Sequence, residues 1–255
     1  MKNLFLYLLL ASLLQSCVTA RKTTYLQPPV DETISMADTM HPKPALYKIL
    51  PSDNLFIRVI TPDPKWAAMF NTMPVATTMF TTTEQSTELI SYPVMPDGTI
   101  DIPYVGHIQV SGKTLPEIKE LIERSLADYI TDYDVTVRLV NNYISILGDV
   151  NKPGRYAIYK DQLNIFQALA MAGDLGDYSD RYQVQIVRQT SGGTFIKEFD
   201  LTKRNIISSE FFYVMPNDVI YARPMKGKFF KMNTFPFSII LSTVTTAILI
   251  ANYIK

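Results

Sequence analysis

The sequence is poor in the residues from which most active sites are built. It has one cysteine and two histidines in 255 residues, and its 24 Lys+Arg balance its 24 Asp+Glu. A lone cysteine excludes an internal disulfide. The histidines, His41 and His107, stand too far apart in sequence to suggest a metal motif. A zero net charge argues against the clustered cationic face that nucleic acid requires. Neither a nucleophile motif nor a glycine-rich phosphate loop is present. Asp97, Asp149 and Asp174 lie beside Gly or Pro in turns, where backbone capping explains them better than acid–base work. The expectation is therefore a protein that is not an enzyme, without a cofactor, a metal or a nucleic-acid partner.

What the sequence does have is apolar material gathered at its two ends. Lys2 precedes an apolar run from Leu4 to Leu14, too short to span a bilayer and followed by small residues, as in an export signal. Leu14-Gln15-Ser16-Cys17 then looks like a bacterial lipobox, in which the cysteine becomes the lipidated first residue of the mature chain. Residues 1–16 thus read as a signal peptide and Cys17 as the lipidation site; the plainer reading is a cleaved signal with an incidental cysteine. Each buried methylene contributes ~0.8 kcal/mol, so an anchor of several acyl chains holds stably where one chain does not. Residues 17–44, rich in Thr and Pro, read as a lipidated tether.

Alternating apolar residues make the stretch from Ile49 to Val59 a strand, entered through the turn Pro51-Ser52-Asp53. Residues 61–90, with the single Trp66, read as a long loop with short local structure. Pro96-Asp97-Gly98 is turn chemistry between strands. Thr114-Leu115-Pro116-Glu117 is a capping box, and Ile118, Leu121, Ile122, Leu126 and Tyr129 carry a helix over roughly 115–129 behind it. Val135, Val137 and Leu139 alternate as the next strand. A second unit follows: a hairpin turn at Asn151-Lys152-Pro153-Gly154, and a short helix from Ile165 to Ala172 between an Asn164 cap and Gly173. Strands around Val184, Ile186 and Arg188, from Phe195 to Leu201, and from Phe212 to Tyr221 complete it. One echo links the two units. Tyr47 to Leu55 and Phe212 to Ile220 share aromatic, apolar, Pro, Asp and apolar residues at equal offsets, a Pro-fixed turn whose Asp caps the backbone.

The C-terminal segment has no charge between Lys231 and Lys255. Residues 232–254 read as a C-terminal transmembrane helix, because Phe235 to Ile254 would extend ~30 Å, one bilayer core. Ser238, Ser242, Thr245 and Asn252 fall within about one third of its circumference, which makes them candidates to line a pore if copies of the helix form a ring. A core helix packed on the protein body and a simple tail anchor are the other readings.

These residues together resemble a known family, the Wza-like outer-membrane polysaccharide export lipoproteins. Tyr47 to Val59, Pro96 to Gly106 and Val110 to Glu117 resemble the family's polysaccharide export domain. Ile146 to Gly154 and Ala168 to Asp174 resemble its soluble-ligand-binding β-grasp (SLBB) module. The implied fold is α+β: an export domain over 45–140, an SLBB-like β-grasp domain over 141–225, and one transmembrane α-helix. Ser52 stands where the family usually has Gly, and one β-grasp module is visible where well-known members have two. The resemblance implies a ring of identical subunits in the outer membrane, lipid-anchored, with its body in the periplasm. It implies an inner-membrane polysaccharide co-polymerase as partner and capsular or exopolysaccharide as substrate. The alternative is a monomeric periplasm-facing lipoprotein that binds glycan or scaffolds envelope proteins.

Overall fold

The computed structural model describes residues 23–28, 45–71, 90–140, 142–160, 162–225 and 237–253. The signal peptide, Cys17, His41 and most of the tether lie outside the described residues. Helix and sheet are mixed, and two hydrophobic cores form, one drawn from residues between Ile49 and Val135 and one from residues between Ile144 and Ala222.

The first unit is organised by β1 (Asn54–Ile60), whose Leu55, Ile57 and Val59 point inward as the alternation requires. It lies between β2 (Tyr92–Pro93) and β5 (Asp134–Leu139), antiparallel to both. Helix α1 (Pro64–Phe70) follows β1, and the hairpin of β3 (Thr99–Ile102) and β4 (Gly106–Gln109) stands apart from the three-stranded sheet. Helix α2 (Leu115–Leu126) starts where the capping box places it; the Glu117 carboxylate accepts from the Thr114 amide at 2.7 Å and hydroxyl at 2.9 Å. Those two donors hold the Glu117 pKa below the usual carboxylate range. Ile118, Ile122 and Leu126, spaced by four, are fully buried, and each such side chain contributes ~1.5–3 kcal/mol.

The second unit is a five-stranded sheet in the order β10-β9-β12-β6-β7. Its strands are β6 (Tyr143–Gly148), β7 (Gly154–Ala157), β9 (Ser179–Thr190), β10 (Gly193–Phe199) and β12 (Val219–Pro224). The last of these runs parallel to β6 and antiparallel to β9, so the end of the unit closes its centre. Helix α3 (Ile165–Met171) is capped by Asn164, which accepts from the Gln167 amide at 2.9 Å, and Gly173 follows with φ 71°. Short strands β8 (Leu163–Asn164) and β11 (Tyr213–Val214) pair beside it.

The stretch read as a tether contains a docked segment. Leu26 and Gln27 donate backbone hydrogen bonds to Leu201 and Thr202 at 3.2 and 2.6 Å, and Arg204 Nε donates to the Leu26 carbonyl at 3.1 Å. Tyr25 donates to Asp174 and packs edge-on against Phe166. Burial, with Asp174 beside it and Arg181 opposing, raises the Tyr25 pKa.

The C-terminal expectation fails. Helix α4 (Phe237–Tyr253) has 17 residues, an extent of ~26 Å against a hydrocarbon core of ~30 Å. Among the described residues no helix is long and apolar enough to cross a membrane. The expectation took Phe235 to Ile254 as one helix of twenty residues, whereas the described helix has 17. Ser238, Ser242, Thr245 and Asn252 lie exposed along it. Ser242 donates to the Ile239 carbonyl and Thr245 to those of Leu241 and Ser242, each at 2.9 Å, so these hydroxyls turn back on their own helix. Their reading as pore-lining residues depended on the span.

Candidate functional site

The two echoed turns, 47–55 and 212–220, meet each other. In each, the residue after proline takes a left-handed conformation, Ser52 with φ 73° and Asn217 with φ 64°. In each, the buried aspartate accepts from the amide three residues back: Leu50 N to Asp53 Oδ2 at 2.8 Å, Met215 N to Asp218 Oδ2 at 2.6 Å. A backbone bond closes each turn, Asp53 N to Leu50 O and Asp218 N to Met215 O. Both are sewn to a neighbouring segment, the first by exchange with Val94, the second through Tyr143 and Ser145 at the start of β6. Asn217 Nδ2 then donates to Asp53 Oδ1 at 3.2 Å, joining turn to turn across the junction of the units. Leu50 to Asp53, Val187, Gln189, Asn217 and Val219 line a cleft of about 340 Å³ there.

The partners beneath the two carboxylates differ. Asp53 Oδ2 accepts the Tyr47 hydroxyl at 2.9 Å. Burial, and then the Asp53 carboxylate beside it, raises the Tyr47 pKa. Asp218 faces a cation instead: Arg188 Nε reaches Oδ1 at 2.9 Å and Nη2 reaches Oδ2 at 2.7 Å, a bidentate pair closed to solvent. The same Nη2 donates to the Tyr213 carbonyl at 3.1 Å. Burial pushes the Asp218 pKa up, with the Arg188 guanidinium and the Met215 amide opposing. All four carboxylate oxygens of the two aspartates are engaged by donors. The junction is built to hold the units together, and its carboxylates leave no oxygen uncommitted for acid–base chemistry.

The other aspartates singled out by sequence sit in turns as expected. Asp97 accepts from the Thr99 amide at 3.0 Å and hydroxyl at 2.7 Å, which lowers its pKa. Asp174, with φ 72°, accepts from the Leu175 amide at 2.7 Å and from Tyr25. Asp149 is buried, its backbone carbonyl accepting from Gly176. His107 is exposed on β4 opposite Asp101. Among the described residues no three His, Cys, Asp or Glu side chains gather as a metal ion would need.

Residues 41–140 match the family model for the polysaccharide biosynthesis/export protein. The match takes in about two fifths of the chain. The three motifs that resembled the export domain, Tyr47 to Val59, Pro96 to Gly106 and Val110 to Glu117, lie within the match, and the two that resembled the SLBB module lie outside it. The export domain thus corresponds to the first core and to the Asp53 side of the junction. Over 101 residues the chain is 32% identical to the EPS I polysaccharide export outer membrane protein EpsA of Ralstonia nicotianae, covering 38% of this chain and 26% of that protein. The EpsA protein of Ralstonia solanacearum is likewise 32% identical over 101 residues, 27% of its length. The chain therefore spans about a quarter of the length of these curated relatives.

Sequence reasoning missed Arg188 as a partner of the second turn. A signal was present: Val184, Ile186 and Arg188 share one inward parity on β9, and a charge at an inward position demands a counter-charge. The buried aspartate of the echoed turn supplies it.

Proposed function

We propose that this protein takes part in exporting a polysaccharide from the periplasm to the bacterial surface, as one subunit of an oligomeric assembly at the outer membrane. The observation that carries this reading is the export-domain match over 41–140, which coincides with a folded unit having its own core. The names of the EpsA relatives, outer-membrane polysaccharide export proteins, point the same way. In this reading Cys17 bears the lipid anchor, the body faces the periplasm, and an inner-membrane co-polymerase hands over the growing polymer. The protein's part is to guide the chain without making or breaking bonds. The second unit would be an SLBB-like β-grasp module held against the export domain by the Asp53–Asn217 contact.

A second reading is a monomeric lipoprotein that binds glycan or scaffolds envelope proteins. The length of α4 favours it, because no membrane-spanning tail then ties the body into a ring.

Deleting the gene should abolish surface polysaccharide, with recovery from a plasmid copy; unchanged surface polymer in the deletion strain sinks the export reading. Sedimentation of detergent-extracted protein separates an oligomer from a monomer. Cys17→Ser should lose incorporation of labelled palmitate, and a retained label would remove the anchor from the proposal.

A further inference from the structure

The sheet of the second unit ends on two open edges. Among the described residues no strand pairs with the outer side of β10 or of β7, the first and last strands in its order. Edges of natural sheets are blunted by proline, by bulges, by shortness or by charge. The β10 edge is long and regular. Its register with β9 runs without a shift from Gly193 to Phe199, seven residues without a proline, and every one but Phe199 is exposed. The docked segment at 23–28 bonds to Leu201 and Thr202, just past β10, and leaves this edge open.

Apolar side chains are stranded at both edges. Ile196 is 66% exposed and Phe195 37%, on adjacent positions that face opposite sides of the sheet. Tyr159, two residues past β7, is 94% exposed.

The strand directions suit a join between these edges. β10 is antiparallel to β9, β9 antiparallel to β12, β12 parallel to β6, and β6 antiparallel to β7. The two outer strands therefore run in opposite directions. A second copy set beside the first, with its core on the same side of the sheet, offers β7 to β10 as an antiparallel partner.

The side chains suit it as well. On β10, Lys197 and Phe199 stand opposite Ile186 and Val184 on the core face, while Ile196 and Glu198 stand opposite Val187 and Gln185 on the other. On β7, Tyr156 shares the core face with Ile144, and Arg155 and Ala157 share the other with Ser145 and Tyr143. One register matches them all. Glu198 opposite the partner's Arg155 sets an acid against a base, and Ile196 then meets the partner's Ala157. Lys197 reaches the partner's Tyr156, and Phe199 covers the partner's Gly154. Glu198 is only loosely engaged within its own copy: Gln185 donates to it at 3.3 Å, and Arg223 stands 3.8 Å away. Pairing β10 with a second β10 would leave Tyr159 uncovered.

We propose that the β10 edge of one copy pairs antiparallel with the β7 edge of the next, with Glu198 opposite Arg155 of the partner subunit. The proposal rests on the oligomeric reading and names its seam. Because the contact joins unlike surfaces, it repeats from copy to copy instead of stopping at two.

Within one copy Ile196 and Ala157 lie on the two outermost of five strands. Four strand spacings put them about 19 Å apart, far beyond the reach of a disulfide. Detergent-extracted full-length protein carrying both Ile196→Cys and Ala157→Cys should therefore cross-link only between copies. The expected result is a ladder on a non-reducing gel that rises past the dimer, with the parent, whose sole cysteine is Cys17, as the blank. Arg155→Glu sets two carboxylates against each other across the seam and should lose the oligomer in sedimentation. Adding Glu198→Arg should restore it, which a misfolded protein could not do. A cross-linked dimer from Ile196→Cys alone would mean that β10 pairs with itself, and overturns the assigned partner. If the parent sediments as an oligomer while the double-cysteine protein stays uncross-linked, the oligomeric reading stands and the seam falls. A parent that sediments as a monomer removes both.

Discussion

The turns at 51–53 and 216–218 share a backbone and differ in the chemistry beneath it. Both place a left-handed residue after proline and bury an aspartate that caps the amide three residues earlier. The first aspartate is completed by a neutral phenol and by Asn217, the second by a bidentate guanidinium. A carboxylate at the junction keeps part of its solvation through several neutral donors, whereas one sealed inside a sheet needs a counter-charge. One local solution was used twice, and the surroundings decided how its charge is balanced.

Arg188→Met should break the comparison most visibly. It strands Asp218 in the core and should cost ~3–5 kcal/mol, read from urea unfolding of the full chain. The matching change at the first turn, Tyr47→Phe, removes one neutral hydrogen bond and should cost about 1 kcal/mol. Equal costs would mean that the two carboxylates are held alike. Tyr47→Phe also sharpens the contrast through pH. The folded-state pKa of the phenol lies above its ordinary value of 10.0, so its contribution is complete below pH 10 and is lost as pH rises beyond it. The variant should show a flatter alkaline limb in thermal unfolding than the parent; an unchanged limb would remove Tyr47 as its source. The smallest effect separates the two left-handed residues. Ser52→Gly should stabilise by up to ~1 kcal/mol, the left-handed penalty less the added chain entropy. Asn217→Gly should not stabilise, because asparagine tolerates that region and its amide is bonded to Asp53.

Much of this was legible in the sequence where local chemistry dictates structure. The capping box at Thr114 and the Asn164 cap fixed where α2 and α3 begin, and period-two alternation placed β1, β5 and β9. The α2 helix stops at Leu126 rather than near Tyr129, because the next residues fold into the loop that presents that tyrosine. Helix α1 falls in the stretch read as a loop with short local structure, and its position went unassigned although Asp63-Pro64 is a cap followed by a first-turn proline. What stayed illegible depends on distance in sequence. Nothing near Tyr25 announces Asp174 or Phe166, and nothing near Asp53 announces Asn217. The C-terminal span was misjudged for another reason: its length was read from an uncharged run of twenty residues, and the described helix is 17 residues long. For the candidate site, the turn device was visible and its meeting partner was not.

The docked segment at 23–28 has a consequence for assembly of the fold itself. Its seat is made by Leu201, Thr202 and Arg204, and the contact between Leu26 and Arg204 spans 178 positions. Synthesis releases this segment long before its seat exists, and closing so wide a loop carries an entropic penalty that grows with separation. Docking must therefore follow the closure of the second core, and the early chain waits undocked while the rest matures. A protease or a binding partner that meets the newborn protein would find this strand fully open, whereas the native protein half-buries Tyr25, Leu26 and Gln27.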